Sequence, residues 1–152
     1  MWDKKKLLFE TLVTLVILYG CEVWGRNISR ESWRKIAQIE KRFIMYNLKT
    51  KINNPYPILL IEVSLSHIES LAMTRILLYL HKINNTGDHR IPKLDLNSIQ
   101  NQLSLKRGWY KDTKAWLNHW EINENVALEN INNLKNIVTS KFKEKVCHEK
   151  DL

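Results

Sequence analysis

Adjacent acidic residues are missing from this chain, although it contains 16 Asp and Glu side chains. Catalysis with two divalent ions about 4 Å apart needs neighbouring carboxylates, so polymerase or nuclease chemistry of that kind is not expected of the chain alone. Glycine and proline are scarce, at 4 and 3 residues of 152. That leaves little turn chemistry for an all-β fold and makes helices the expectation. Cysteine is limited to Cys21 and Cys147, without CxxC spacing, which excludes a disulfide framework and suits free thiols in a reducing, intracellular compartment. The five histidines, His67, His81, His89, His119 and His148, never form an HxxxH pair, and Cys147-His148 has no second ligand pair near it. Neither a metal nor a cofactor is expected.

Long apolar runs are absent as well. The start MWDKKKLLFETLVTLVILYGC imitates a secretory signal, and Leu18-Tyr19-Gly20-Cys21 imitates a lipoprotein cleavage box. Glu10 interrupts the apolar region, Tyr19 stands where such a box needs a small residue, and the uncharged stretch from Thr11 to Cys21 is only 11 residues. A membrane-crossing helix needs about 20, so no membrane partner is expected. The sequons at Asn27 and Asn84 would matter only after export. Gly20-Cys21-Glu22-Val23-Trp24-Gly25 has the glycine spacing of a phosphate-cradling loop. It continues with Arg26-Asn27 instead of Lys and a hydroxyl residue, and it places Glu22 inside the anion nest, so nucleotide binding fails on side-chain grounds.

What the chain does have is helical periodicity and positive charge. The net charge is +8, with pI near 9.5, which favours a polyanionic partner. A first period from Lys5 to Tyr19 is apolar nearly all round, through Leu7, Leu8, Leu12, Val13, Leu15, Val16 and Leu18, and so predicts a helix in the middle of a bundle. Ser29 can cap a second helix, to about Lys49, with Trp33, Ile36, Ile39 or Glu40, Phe43 and Tyr46 on its apolar face. Arg34 and Lys41 are seven apart, and Lys35, Arg42 and Lys49 repeat at the same interval, which stacks them into a stripe. Between Arg26 and Lys51 eight basic residues stand against Glu31 and Glu40. These five residues, Arg34, Lys35, Lys41, Arg42 and Lys49, are the candidate nucleic-acid-binding set, with Lys106, Arg107, Lys111 and Lys114 as a secondary basic patch.

Asn53 to Pro57 is a stop signal. Ser66-His67-Ile68-Glu69 then has capping-box spacing, followed by the apolar face Ile68, Ala72, Ile76, Tyr79, Leu80 and Ile83 and the terminator Asn84-Asn85-Thr86-Gly87. A short helix is expected at about Ser98 to Leu105. Trp109, Trp116 and Trp120 share one helix face and read as core rather than as a base-stacking platform. An Asn-rich last helix, about Val126 to Val146, carries Ile131, Leu134, Val138 and Phe142, and is expected to pack weakly and fray.

The phrase ILYGCEVWG, followed by a basic amphipathic helix containing IEKRF and then by SHIESLAMTRILLYLHKI, resembles the region downstream of the palm in reverse transcriptases of non-LTR (LINE-type) retrotransposons. The likeness is clearest from Lys5 to Ile83 and fainter through RGWYKDTKAWLNHW. It departs from that pattern at Glu62-Val63-Ser64-Leu65, where the family reads Glu, an apolar residue and Gly before a capping turn. The resemblance implies a thumb, an all-α bundle of about five to six helices. Residues 1–87 would form the thumb-like core and 88–152 a C-terminal helical extension packed on it. It also implies RNA or DNA contact of low specificity beside a palm and fingers polymerase domain, with no catalytic residue to carry over, since the family's paired aspartates are absent. A second reading, from the composition alone, is a structural or protein-interaction bundle that docks through its first helix.

Overall fold

The computed structural model describes residues 2–25, 28–50, 54–101 and 108–148. Among these the fold is all-α, as expected, with no strand. The chain begins with α1 (Trp2–Leu8), runs through a π-helical turn at Phe9–Val13, and continues as α2 (Thr14–Ile17) and the short α3 (Cys21–Trp24). Gly20 sits between α2 and α3 at φ 63°, a left-handed conformation that costs glycine nothing and other residues about 1 kcal/mol or more.

Next come α4 (Arg30–Leu48), α5 (Tyr56–Glu62) and α6 (Ile68–Asn84), then α7 (Ile91–Asn101), α8 (Trp109–His119), α9 (Glu124–Glu129), a 3-10 turn at Ile131–Asn133 and α10 (Leu134–His148). The stop signal before α5 is also a start. Pro55 is the N-cap and Pro57 falls in the first turn, where a missing N–H costs nothing because the first helical donors lack partners anyway. The short helix expected at Ser98 to Leu105 begins earlier, at Ile91, and Gln102 to Leu105 lie outside the described residues.

The middle of the bundle is α6, not the first helix. Ile68, Ala72, Met73, Ile76, Leu77 and Leu80 are fully buried, because α6 packs against α3, α4, α7, α9 and α10. Small or polar residues at Ser70, Ala72 and Thr74 let those neighbours approach; the Ser70 and Thr74 hydroxyls donate to His67 O at 2.6 Å and Ser70 O at 2.8 Å. By contrast α1 and α2 lie at the rim. Phe9 stacks on Phe43 of α4 at 4.2 Å between ring centroids, Thr14 and Leu18 turn inward, and Leu7, Leu8, Leu12, Leu15 and Val16 face outward.

The last helix also differs from expectation. It is separated from α9 by a break at Asn130, and it closes the core firmly. Leu134, Val138 and Phe142 are no more than 1% exposed, with Phe142 stacked on Trp120 at 3.6 Å. Residues of α8 and α10 therefore join those of α4 and α6 in one hydrophobic core.

Candidate nucleic-acid interface

Ser29 caps α4 as expected, with its Oγ accepting from Ser32 N at 3.2 Å. Helical spacing then divides α4 into two faces. Trp33, Ala37, Glu40 and Ile44 are buried, so the register of the apolar face runs through Glu40 rather than Ile39. Ile39 and Tyr46, which the sequence places on that face, are exposed, Tyr46 at 84%.

The basic residues occupy the outer side. Arg34, Lys35, Arg42 and Lys49 are exposed and Lys41 is half-buried. Lys35 reaches Glu31 one turn back, 2.9 Å away, both side chains being well exposed. Such a pair is worth about 0.5 kcal/mol at most and is easily exchanged for a phosphate. Lys49 falls one residue past the helix, as a left-handed C-cap at φ 52° with its N–H bonded to Met45 O. The stripe is thus four residues on a helix and one at its exit.

The secondary patch is only partly described, because Lys106 and Arg107 lie outside the described residues. Lys111 and Lys114 are exposed on α8, and the Lys114 ammonium sits 4.8 Å over the Tyr110 ring. Hydrogen bonding to Tyr110 holds the Lys114 pKa above the ordinary lysine range. The neighbouring indoles face inward. Trp116 and Trp120 are buried, and Trp109 donates from Nε1 to Glu22 O at 2.9 Å. Base stacking is therefore closed to Trp116 and Trp120.

Those indoles lead to a constellation that sequence reasoning missed. Glu69, 2% exposed, accepts at Oε1 from Trp116 Nε1 at 2.8 Å, Trp120 Nε1 at 3.0 Å and Arg30 at 2.8 Å. Arg30 also reaches Oε2 at 3.0 Å and lies 4.8 Å over the Trp120 ring. The capping box is therefore not formed. The N-cap is His67, whose Nδ1 accepts from Glu69 N at 3.2 Å, while the Glu69 carboxylate turns into the core. Glu40 accepts from the Tyr56 hydroxyl and from Ile68 N.

Burial governs the ionisation of this cluster. It pushes Glu40 up to about 7 against the opposing hydrogen bonds from Tyr56 and Ile68. It drives His67 down to about 3, with Arg30 adding to the effect. Glu69 is also raised by burial, opposed first by Arg30 and then by the two indoles. Acidic and basic groups with separated pKa values can mark acid–base catalysis, but each carboxylate here is held by donors of the chain itself and none is open to solvent. The cluster joins α4, α5, α6 and α8.

Cys21 is a buried free thiol, pushed up to about 11 chiefly by burial, which makes it a poor nucleophile. Among the described residues no group of three or more His, Cys, Asp and Glu is placed to hold a metal ion, and no helix is long and apolar enough to cross a membrane. Comparison of the chain with protein-family models, curated proteins and solved structures finds no match.

Proposed function

We propose that this chain is a thumb-like, non-catalytic piece of a non-LTR retroelement reverse transcriptase that contacts the backbone of a template-primer duplex through α4. The observation that carries the reading is the outward display of Arg34, Lys35, Arg42 and Lys49, with Lys41 at the edge, on a helix whose opposite face is anchored in the core. Lysine and arginine on one rigid face can neutralise several phosphates without reading bases, which suits a clamp on nucleic acid of changing sequence.

A second observation supports the resemblance at the place where the sequence departs from it. Ser64 lies at φ 53°, the left-handed region that favours glycine, and it occupies the position where the family pattern has Gly. A glycine-type turn leads into α6 even though the glycine is gone. No reaction is assigned to the chain, since no two acidic residues are adjacent in its sequence to hold a metal pair. A palm domain would have to come from elsewhere.

The test is binding of an RNA–DNA duplex measured across a salt series. Each phosphate contact contributes about −0.9 to the slope of log K against log salt. Changing Arg34, Lys35, Lys41, Arg42 and Lys49 to Gln is expected to weaken binding by at least tenfold at low salt and to flatten the slope by about 2 to 4. Binding and slope equal to those of the natural chain would remove α4 from consideration.

A further inference from the structure

The sequence places Tyr46 on the apolar face of α4, yet its side chain is 84% exposed and stands among basic residues. Lys35, Ile39, Arg42 and Tyr46 follow one another at steps of four, three and four residues, so they share one face of the helix. Lys49, the C-cap, comes three residues later. From Lys35 to Tyr46 this ridge is about 16 Å long, at 1.5 Å per residue. Cations and uncharged groups alternate along it: Lys35, then Ile39 at 46% exposed, Arg42, Tyr46 and Lys49.

That alternation indicates the partner. A nucleic-acid strand alternates charged phosphates with flat bases, and proteins that hold unpaired strands combine cations for the backbone with aromatic rings for the bases. Arg42 stands one turn before Tyr46 and Lys49 almost one turn after it, so a strand neutralised at both cations passes a base over the ring between them. A base inside a duplex cannot reach that ring, because both of its faces are covered by neighbours in the stack. An apolar protein surface fits less well. Covering Ile39 and Tyr46 together would bury the Arg42 guanidinium between them without a partner, which is costly. The indoles of α8 do not compete for this role, since Trp116 and Trp120 are buried.

We infer that Tyr46 is a stacking platform for an unpaired base, with Arg42 and Lys49 on the flanking phosphates, so that α4 takes a duplex bearing an unpaired strand in preference to a fully paired one. Resting on the reading of α4 as a nucleic-acid interface, this role gives the helix a residue that separates paired from unpaired bases. It still reads no sequence, because every base has a face to stack.

The test compares an RNA–DNA duplex with the same duplex carrying a single-stranded DNA extension that contains the fluorescent base 2-aminopurine. The natural chain is expected to bind the extended duplex about tenfold more tightly and to quench the 2-aminopurine emission. Tyr46→Ala should lose both effects while keeping its affinity for the paired duplex and its salt slope, since the ring carries no charge. Tyr46→Phe should keep both, because stacking uses the ring and not the hydroxyl. Helix content should be unchanged in each variant, because the Tyr46 side chain faces solvent. Salt-dependent binding that is equally tight with and without the extension overturns the stacking role alone and leaves the wider reading of α4 intact. So does a preference for the extension that survives in Tyr46→Ala, or one that is lost in Tyr46→Phe as well. A chain that binds neither nucleic acid overturns both. Binding to anionic vesicles that depends on Tyr46, with no preference for the extension, assigns the ridge to lipid and also overturns the inference.

Discussion

Two apolar helical regions of this chain, α1 with α2 and α6, have opposite fates. Both are rich in leucine, yet α6 is buried on nearly every side while α1 and α2 offer their outer leucines to solvent. Composition does not separate them; what surrounds the apolar residues does. In α6, Leu71 and Met73 alternate with Ser70, Ala72 and Thr74, small enough for other helices to close in, and its first turn carries Glu69, whose carboxylate is bonded to α4 and to α8 with its C-cap. The first region has bulky side chains on both faces and nothing comparable to gather neighbours. Helix centrality here follows from small side chains and buried polar anchors as much as from hydrophobicity.

The sharpest way to break this contrast is at Glu69. Its carboxylate satisfies Arg30, Trp116 and Trp120 together, so Glu69→Ala leaves a guanidinium and two indole donors without their acceptor. Water can reach Arg30, whose side chain is 39% exposed, but each buried indole left without an acceptor costs about 1–3 kcal/mol, and a loss of that order in urea unfolding is expected. A change below about 1 kcal/mol would show that the anchor contributes little and that leucine packing alone centres α6.

The pH dependence probes the same anchor with smaller effects. Glu40 is raised from 4.5 to about 7, so its stabilising contribution is fully present below pH 4.5 and is lost as pH rises through 7. His67 is lowered from 6.5 to about 3, so its contribution is present above pH 6.5 and is lost as pH falls through 3. Each term has a limiting slope of about 1.4 kcal/mol per pH unit, and between pH 4.5 and 6.5 the two are opposite in sign. Relative to the natural chain, Glu40→Gln should therefore gain stability as pH rises from 4.5 to 7. His67→Asn should gain as pH falls from 6.5 to 3. Stability differences that stay flat across both windows would mean that burial at these positions is relieved by water.

Ser64→Gly tests the turn that delivers the chain into α6. With φ at 53°, a serine there carries backbone strain that glycine relieves, by about 1 kcal/mol before the loss of unfolded-state restriction is counted against it. A rise in melting temperature of a few degrees is the expected outcome, and a fall would show that the Ser64 side chain has a role of its own.

Much of this was legible from residues alone, and the failures have a common cause. Helical periodicity identified α4 and α6, and the scarcity of glycine and proline pointed to an all-α fold. The apolar face of α4 was open between Ile39 and Glu40 and misplaced at Tyr46, because an acidic residue in the buried register hides it; Trp33, Ala37 and Ile44 were the signal available. Ser66-His67-Ile68-Glu69 was read as a capping box because local spacing cannot reveal that Trp116 and Trp120, some 50 residues away in the chain, compete for the same carboxylate. The basic residues of α4 were legible as an exposed stripe, since charge at seven-residue spacing needs no tertiary partner. Buried polar anchors depend on distant donors, and periodicity is silent about those.

The smallest expected effect comes from the outer leucines, and it is the one that isolates the rim from the centre. Leu12 is 61% exposed, so truncation to Ala leaves no cavity and removes little buried area; in dilute solution Leu12→Ala should change unfolding stability by less than about 0.5 kcal/mol. Leu77 is fully buried in α6, and the same truncation there should cost about 2–5 kcal/mol. If Leu12→Ala proves costly even in dilute solution, the helix face is covered within a single chain and the rim position of α1 is wrong.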